Sequence, residues 1–291
     1  MYFNRIEAKL TARVSMRQAN PSPILVSLVY ILLTGVLTAV VPRLLGDPVS
    51  QMTEYLMMGY GPEEVFEYVV LGNVAGIALF GVVSVLLDLY STLMSFGYTS
   101  YALRMARNEP SGIGNLFDGF QRPLRVLWAS ILMSIFETLW GLLGILPGAA
   151  VMVIGLVMEG DAFAIIMAGY WLMLVGFLIS ALVVGLRYRL TSYFILDDPD
   201  CTARQAIRRS KEAMRGWKME LFTLDLSFVG WVLLGAITCG ILMVWVGPYM
   251  GATEANFYDA VTGRGYTRPQ PQPQPPTHYT YDPNADGDGP L

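Results

Sequence analysis

Residues 162–189 read AFAIIMAGYWLMLVGFLISALVVGLRYR. Ala162 to Leu186 carry no charge, and the run ends on Arg187-Tyr188-Arg189. About 20 apolar residues in a helix cross a hydrocarbon core of about 30 Å. The run is therefore long enough to span a membrane, and arginines stop it where water begins. The rest of the chain shares this character. Of 291 residues, 54% are hydrophobic and only 14% charged, against roughly 25% charged in soluble domains. The mean hydropathy is +0.47. So few charges cannot cover a water-facing surface, which excludes an ordinary soluble protein. Two cysteines, Cys201 and Cys239, exclude a disulfide scaffold, and their spacing has no metal or redox signature. The one histidine, His278, lies in a polar tail, which removes most histidine-based catalysis.

Working outward, further spans are expected near 24–41, 67–90, 124–146 and 217–236. The first stops at Pro42-Arg43 and is followed by a poor cleavage site, so it reads as an uncleaved span. Beyond Asp88 the second continues through Tyr90, Tyr98 and Tyr101, residues favoured at a membrane interface. The third is over-long and interrupted by Pro147-Gly148, which fits a kinked helix or a short extra segment. After 217–236 the chain either continues as one long crossing or turns near Thr238-Cys239-Gly240. The turn gives a helical hairpin and a sixth span near 239–260, although Glu254 and Asp259 are polar for a span. Six spans are favoured over five. The expectation is an all-α, polytopic transmembrane bundle over 1–262. A disordered Pro/Gln-rich tail follows over 263–291.

Basic residues set the orientation. Sixteen of the 19 lysines and arginines precede span one, lie between spans two and three, or follow span four. The alternate connections are acidic, with Asp47, Glu54, Glu63, Glu64 and Glu67 in one and Glu159 and Asp161 in the other. The positive-inside rule then places the N-terminus in the cytoplasm of a multi-pass plasma-membrane protein.

Two polar segments read as amphipathic helices on that side. In 2–18, Phe3, Ile6, Leu10 and Val14 recur at helical spacing beside Arg5, Lys9, Arg13 and Arg17, as in a helix lying on an anionic leaflet. In 200–218, capped by Asp200 or Thr202, one face holds Ala203, Ala206, Ile207, Ser210, Met214 and Trp217. The other presents Arg204, Arg208, Lys211, Arg215 and Lys218, a candidate surface for anionic lipid or a partner. Asp197-Asp198-Pro199-Asp200 reads as acids at a helix start.

Asp88, Glu137 and Asp225 lie within or near apolar spans, where a carboxylate costs several kcal/mol unless paired, hydrated or protonated. They form the candidate intramembrane polar site. Asp88 is expected near the inner interface, Glu137 in the outer half of its span, and Asp225 about eight residues from its cytoplasmic end. No basic residue is expected deep enough to pair with them. No catalytic motif, metal ligand set or phosphate loop is present, so no enzyme activity, metal or cofactor is expected. The expected partners are the bilayer and other membrane proteins, not nucleic acid.

Residues 193–259 contain YFILDDPD, then Ala206 to Lys218 with S-K-E-A-M-R-G-W-K, then LFTLDLSFVGWVLL, Trp245 to Tyr249 and Ala255 to Tyr258. Together with Phe117-Asp118-Gly119-Phe120 and Leu146-Pro147-Gly148, this resembles the bacterial membrane family catalogued as domain of unknown function 975. The resemblance implies an integral membrane protein and no particular activity. The expected function is non-enzymatic assembly or regulation of envelope components. The alternative is a small-solute or ion transporter using Asp225 and Glu137.

Overall fold

A computed structural model describes residues 3–158 and 162–264. Among them the chain is helical and contains no strand. Helix α1 (Arg5–Gln18) precedes α2 (Pro23–Ile31) and α3 (Leu37–Leu44), which a π-helical turn joins into one 22-residue rod. Short helices α4 (Pro48–Met57) and α5 (Pro62–Val65) lead through a second π turn to α6 (Val74–Ala106). A 3₁₀ helix (Ile113–Gln121) follows, then α7 (Pro123–Val157), α8 (Ala162–Tyr188), α9 (Thr191–Asp197) and α10 (Ala203–Ala213). The last elements are α11 (Lys218–Leu226), α12 (Val229–Ile237) and α13 (Met243–Val261).

Five segments are long and apolar enough to cross a membrane: Pro23–Leu44, Val74–Ala106, Pro123–Val157, Ala162–Asp197 and Lys218–Ile237. The expected span at 67–90 is displaced, because Asn73 caps a new helix by accepting from the Gly76 amide. Pro147 does not divide the third span: α7 runs through it for 35 residues.

The helix pairing follows from close contacts. A Cβ on Gly176 would strike the Gly144 carbonyl, and one on Gly148 would strike Met173. Gly155 meets Ile165 lower in the same pair. These contacts make α7 and α8 an antiparallel hairpin whose backbones meet where side chains are missing, as small residues permit in membranes. The end of the chain forms a second hairpin. Trp217 packs on Phe257 at 6.5 Å, Phe228 on Tyr249 at 5.3 Å, and Gly235 on Met243. The turn falls at Cys239 (φ +50°) and Gly240 (φ +85°), within the small-residue stretch where the sequence suggests it.

The packed core gathers at one end, where Arg107, Arg122, Arg125, Arg187 and Arg189 also lie. We call it the basic end. Tyr101, Met105, Leu116, Leu190, Met214, Leu221, Phe257 and Tyr258 are buried there in one cluster. α6 measures about 50 Å at 1.5 Å per residue, more than a hydrocarbon core. In its second half Met94, Tyr101, Leu103, Met105 and Ala106 are buried in this cluster. The 3₁₀ helix clamps it there, since Gly97 touches the Leu116 carbonyl and Gly119 the Leu93 carbonyl. Away from this end the helices expose large apolar side chains such as Leu79, Val82, Leu146, Val153, Trp171 and Leu178.

The apolar residues of α1 divide between two faces. Phe3 is buried, at 5.0 Å from the Phe257 ring, but so are Ala8, Thr11, Ala12 and Ser15. Ile6 and Leu10 point outward. Small residues win the protein face because α1 lies close on α13 and α6: Asn256 Nδ2 donates to the Ala8 carbonyl at 3.0 Å, and Ser15 Oγ to that of Ala106.

Charge pairing ties three elements at the basic end. Arg107 donates to Asp197 at 2.7 Å and to Asp259 at 2.6 Å. Arg264 and Tyr258 also reach Asp197, at 2.9 and 2.6 Å. The acidic run is therefore more than a helix start, since Asp197 closes α9 as an ion-pair hub. The tail expectation for 263–291 lies outside the described residues beyond Arg264, as do Glu159 and Asp161.

Arg107→Met leaves the nearly buried Asp259 without its cation, and Asp197 with Arg264 alone, and lowers detergent stability by about 3–5 kcal/mol, as read from thermal unfolding. Gly176→Leu forces α7 and α8 apart and costs about 1–3 kcal/mol. Gly185→Ala, with nothing within 4 Å of its added carbon, changes stability by less than about 0.5 kcal/mol.

Candidate functional site

Helix α10 starts at a reciprocal cap. The Gln205 amide donates to Thr202 Oγ1, and the Thr202 amide to Gln205 Oε1. Thr202, not Asp200, is the cap. Ala203, Ala206, Ile207, Ser210 and Met214 are buried. Ile207 packs on Val184 and Tyr188, and Ser210 Oγ donates to the Arg187 carbonyl at 3.1 Å. This fixes α10 across the ends of α7 and α8, so its basic row faces out. Arg204, Arg208 and Arg215 are exposed; Lys211 and Lys218 are half-buried. Among the described residues, Arg208 is the member of this row that pairs with an acid, Glu212 at 4.0 Å. Beside it Arg209 donates to Asp198 at 2.8 Å and holds that carboxyl below its ordinary range. On α1, Lys9 Nζ donates to Ser227 Oγ at 2.6 Å and lies 4.3 Å from the Phe228 ring centre. Burial, with the Arg13 and Arg5 charges, lowers its pKa.

The three acids do not form one site. Asp225 on α11 lies within electrostatic reach of Arg189 and Glu254. Those two form a two-pronged pair, Arg189 Nε to Oε1 at 2.7 Å and Nη2 to Oε2 at 3.1 Å. The expectation that no basic residue reaches Asp225 is thus corrected. Arg189 looks like a terminal flank in sequence, but the chain turns at Leu190 and brings it against α13. Glu137 is exposed and, among the described residues, has no hydrogen-bond or ion-pair partner.

Register places all three at one depth. With Gly144 opposite Gly176, Glu137 stands opposite Val183, about 6 Å along the axis from Arg187. Glu137 is therefore in the half of α7 nearest the basic end, not the outer half, because α7 continues to Val157. Asp88 on α6 lies in a groove against α7. Thr92 and Ser130 line two adjoining cavities of about 490 and 300 Å³, and Phe96 and Val126 line the next. In this antiparallel register Asp88 falls opposite Ser134, itself opposite Leu186. Each acid sits within about a helical turn of Arg187–Arg189.

The groove is the feature that sequence reading misses. Asp88 and Thr92 on α6 face Ser130, Ser134 and Thr138 on α7. The four-residue spacing is visible in the sequence, but only the α6–α7 register turns two helical stripes into opposed walls. Among the described residues no group of three or more His, Cys, Asp or Glu side chains could hold a metal ion.

Removing the cation beside Asp225 tests this geometry. Arg189→Gln is expected to cost about 2–3 kcal/mol of detergent stability, whereas Asp225→Asn costs less than about 1 kcal/mol. Adding Glu254→Gln to Arg189→Gln recovers part of the loss, because the acid left behind is then neutral. A double-mutant cycle on thermal unfolding measures the coupling.

No curated protein and no solved structure matches this sequence. One family model does match, over residues 1–265, which includes both hairpins, the basic helix and the groove. The chain belongs to the family described as protein of unknown function, DUF975.

Proposed function

We propose that this is a multi-pass protein of the bacterial plasma membrane, with its N-terminus in the cytoplasm. It works without catalysis, by assembling with acidic components of the envelope. One observation carries this proposal: the apolar side of α10 is consumed by its own bundle, so Arg204, Arg208, Lys211, Arg215 and Lys218 are left as a presented surface. By the positive-inside rule that surface faces the cytoplasm, together with exposed Arg5, Arg13 and Arg17 of α1. A row of cations at a membrane boundary attracts acidic surfaces, in a manner that weakens with salt.

The transporter alternative gains less support. Asp225 stands beside an Arg189–Glu254 pair, and no interaction among the described residues joins it to Glu137. A relay between the two acids would need a path that their positions do not suggest.

Charge reversal of the basic row, Arg204→Glu with Arg208→Glu and Lys211→Glu, is the test. These side chains carry little of the packing, so the melting temperature in detergent should stay within about 2 °C of the parent. Cross-linking in native membranes, followed by purification, should recover partner proteins with the parent and several-fold less with the variant. Equal recovery would contradict assembly through this face. Proton or cation flux in liposomes that is lost with Asp225→Asn would favour the transporter.

A further inference from the structure

We infer that the groove between α6 and α7 binds the headgroup of an amine-bearing phospholipid from the leaflet at the basic end. Asp88 separates this groove from the other polar clusters. Among the described residues, its carboxylate has no hydrogen-bond or ion-pair partner. Several other acids near this end are engaged: Asp197 and Asp259 by Arg107, Glu254 by Arg189, and Asp118 by Ser100 and Asn115; Glu137 has no such partner among the described residues but lies outside the groove lining. A carboxylate at the hydrocarbon edge is costly unless paired or hydrated. Asp88 is exposed to the open groove and no cation among the described residues reaches it, so an ammonium at that depth is free to pair with it.

The walls around it suit the rest of a headgroup. Ser130, Ser134 and Thr138 stand at four-residue spacing on the facing helix, and Thr92 lies one turn below Asp88. These hydroxyls can donate to phosphate oxygens, while a carboxylate repels them. Asp88 and Ser134 share a level on opposite walls. A headgroup lying across the groove would set its ammonium on Asp88 and its phosphate on the α7 hydroxyls. Away from the basic end the lining becomes Ile135, Leu139 and Leu142, which suits acyl chains. The groove is open on one side, so a lipid can enter from the bilayer without unfolding the bundle. Its volume of about 490 Å³ lies in the usual range of small-ligand sites, about 300–1,000 Å³.

A primary ammonium fits better than a quaternary one. The recognising groups are hydrogen-bond acceptors, and no aromatic cage lines the site. An anionic headgroup without an amine would meet Asp88 unfavourably.

Native mass spectrometry of the full-length protein, exchanged into nanodiscs of stated composition, tests the inference. One set holds phosphatidylglycerol alone, a second adds phosphatidylethanolamine, and a third adds phosphatidylcholine. Phosphatidylethanolamine should be retained about tenfold over phosphatidylglycerol, as expected for one charged hydrogen-bonded pair. Asp88→Asn keeps the shape of the side chain and should abolish that preference. Ser134→Leu fills the facing wall and should reduce retention of the lipid itself. Soluble phosphoethanolamine should not compete, because it lacks the chains that the Leu139–Leu142 wall receives. Unchanged preference in Asp88→Asn, equal retention of phosphatidylcholine, or displacement by soluble phosphoethanolamine would each overturn the inference. So would Ser134→Cys cross-linking to another protein in place of lipid.

Discussion

The structure depends on the pairing of charges on α13. This helix is central rather than lipid-facing: Ala252, Thr253, Ala255, Asn256, Phe257, Tyr258 and Asp259 are all buried. It carries two acids into the packed end, and each meets an arginine from elsewhere, Arg189 at Glu254 and Arg107 at Asp259. A buried pair contributes little net stability, yet breaking it leaves an uncompensated charge. The pairs therefore specify where α6, α8 and α9 must end relative to α13. The hairpin rings, the α1 contacts and the clamp on Gly97 follow from that placement.

This arrangement also explains the uneven packing along the bundle. At the basic end the chain behaves like a small soluble core, with aromatic clusters and paired charges; the buried Tyr101 hydroxyl has no hydrogen-bond partner among the described residues. Beyond it the helices rely on lipid to cover their sides. There the α7–α8 pair makes close backbone contact through Gly144, Gly148, Gly169 and Gly176. Glu137, Asp225 and Asp88 sit at the boundary between the two regimes. Their depth makes them acids of the headgroup zone, where water, arginine or a lipid amine can reach them.

Much of the architecture was legible in the sequence. Long apolar runs mark the spans, and the basic face of α10 appears at its helical spacing. The turn at Cys239-Gly240 lies among the small residues that suggested it. Other features needed tertiary information. Glu254 and Asp259 argue against a span by composition, because their partners lie 65 and 152 residues away. On α1, Ile6 and Leu10 face outward, and the small residues Ala8, Ala12 and Ser15 that pack on the protein form a face the sequence pattern does not single out. Glu137 was placed too far out because the length of α7 was underestimated across Pro147. The Asp88 groove was hidden for the same kind of reason: each wall is ordinary alone, and only their register makes a site.

α13 turns back along α11 and α12, so that both ends of the membrane domain lie on one side. Reporter fusions measure this directly. A fluorescent protein that matures only in the cytoplasm, placed before Met1 in one fusion and after Leu291 in another, should glow in both. Alkaline phosphatase at either place should stay inactive. A bright N-terminal fusion with a dark C-terminal one, and an active phosphatase after Leu291, would contradict the hairpin and the charge pairing that rests on it.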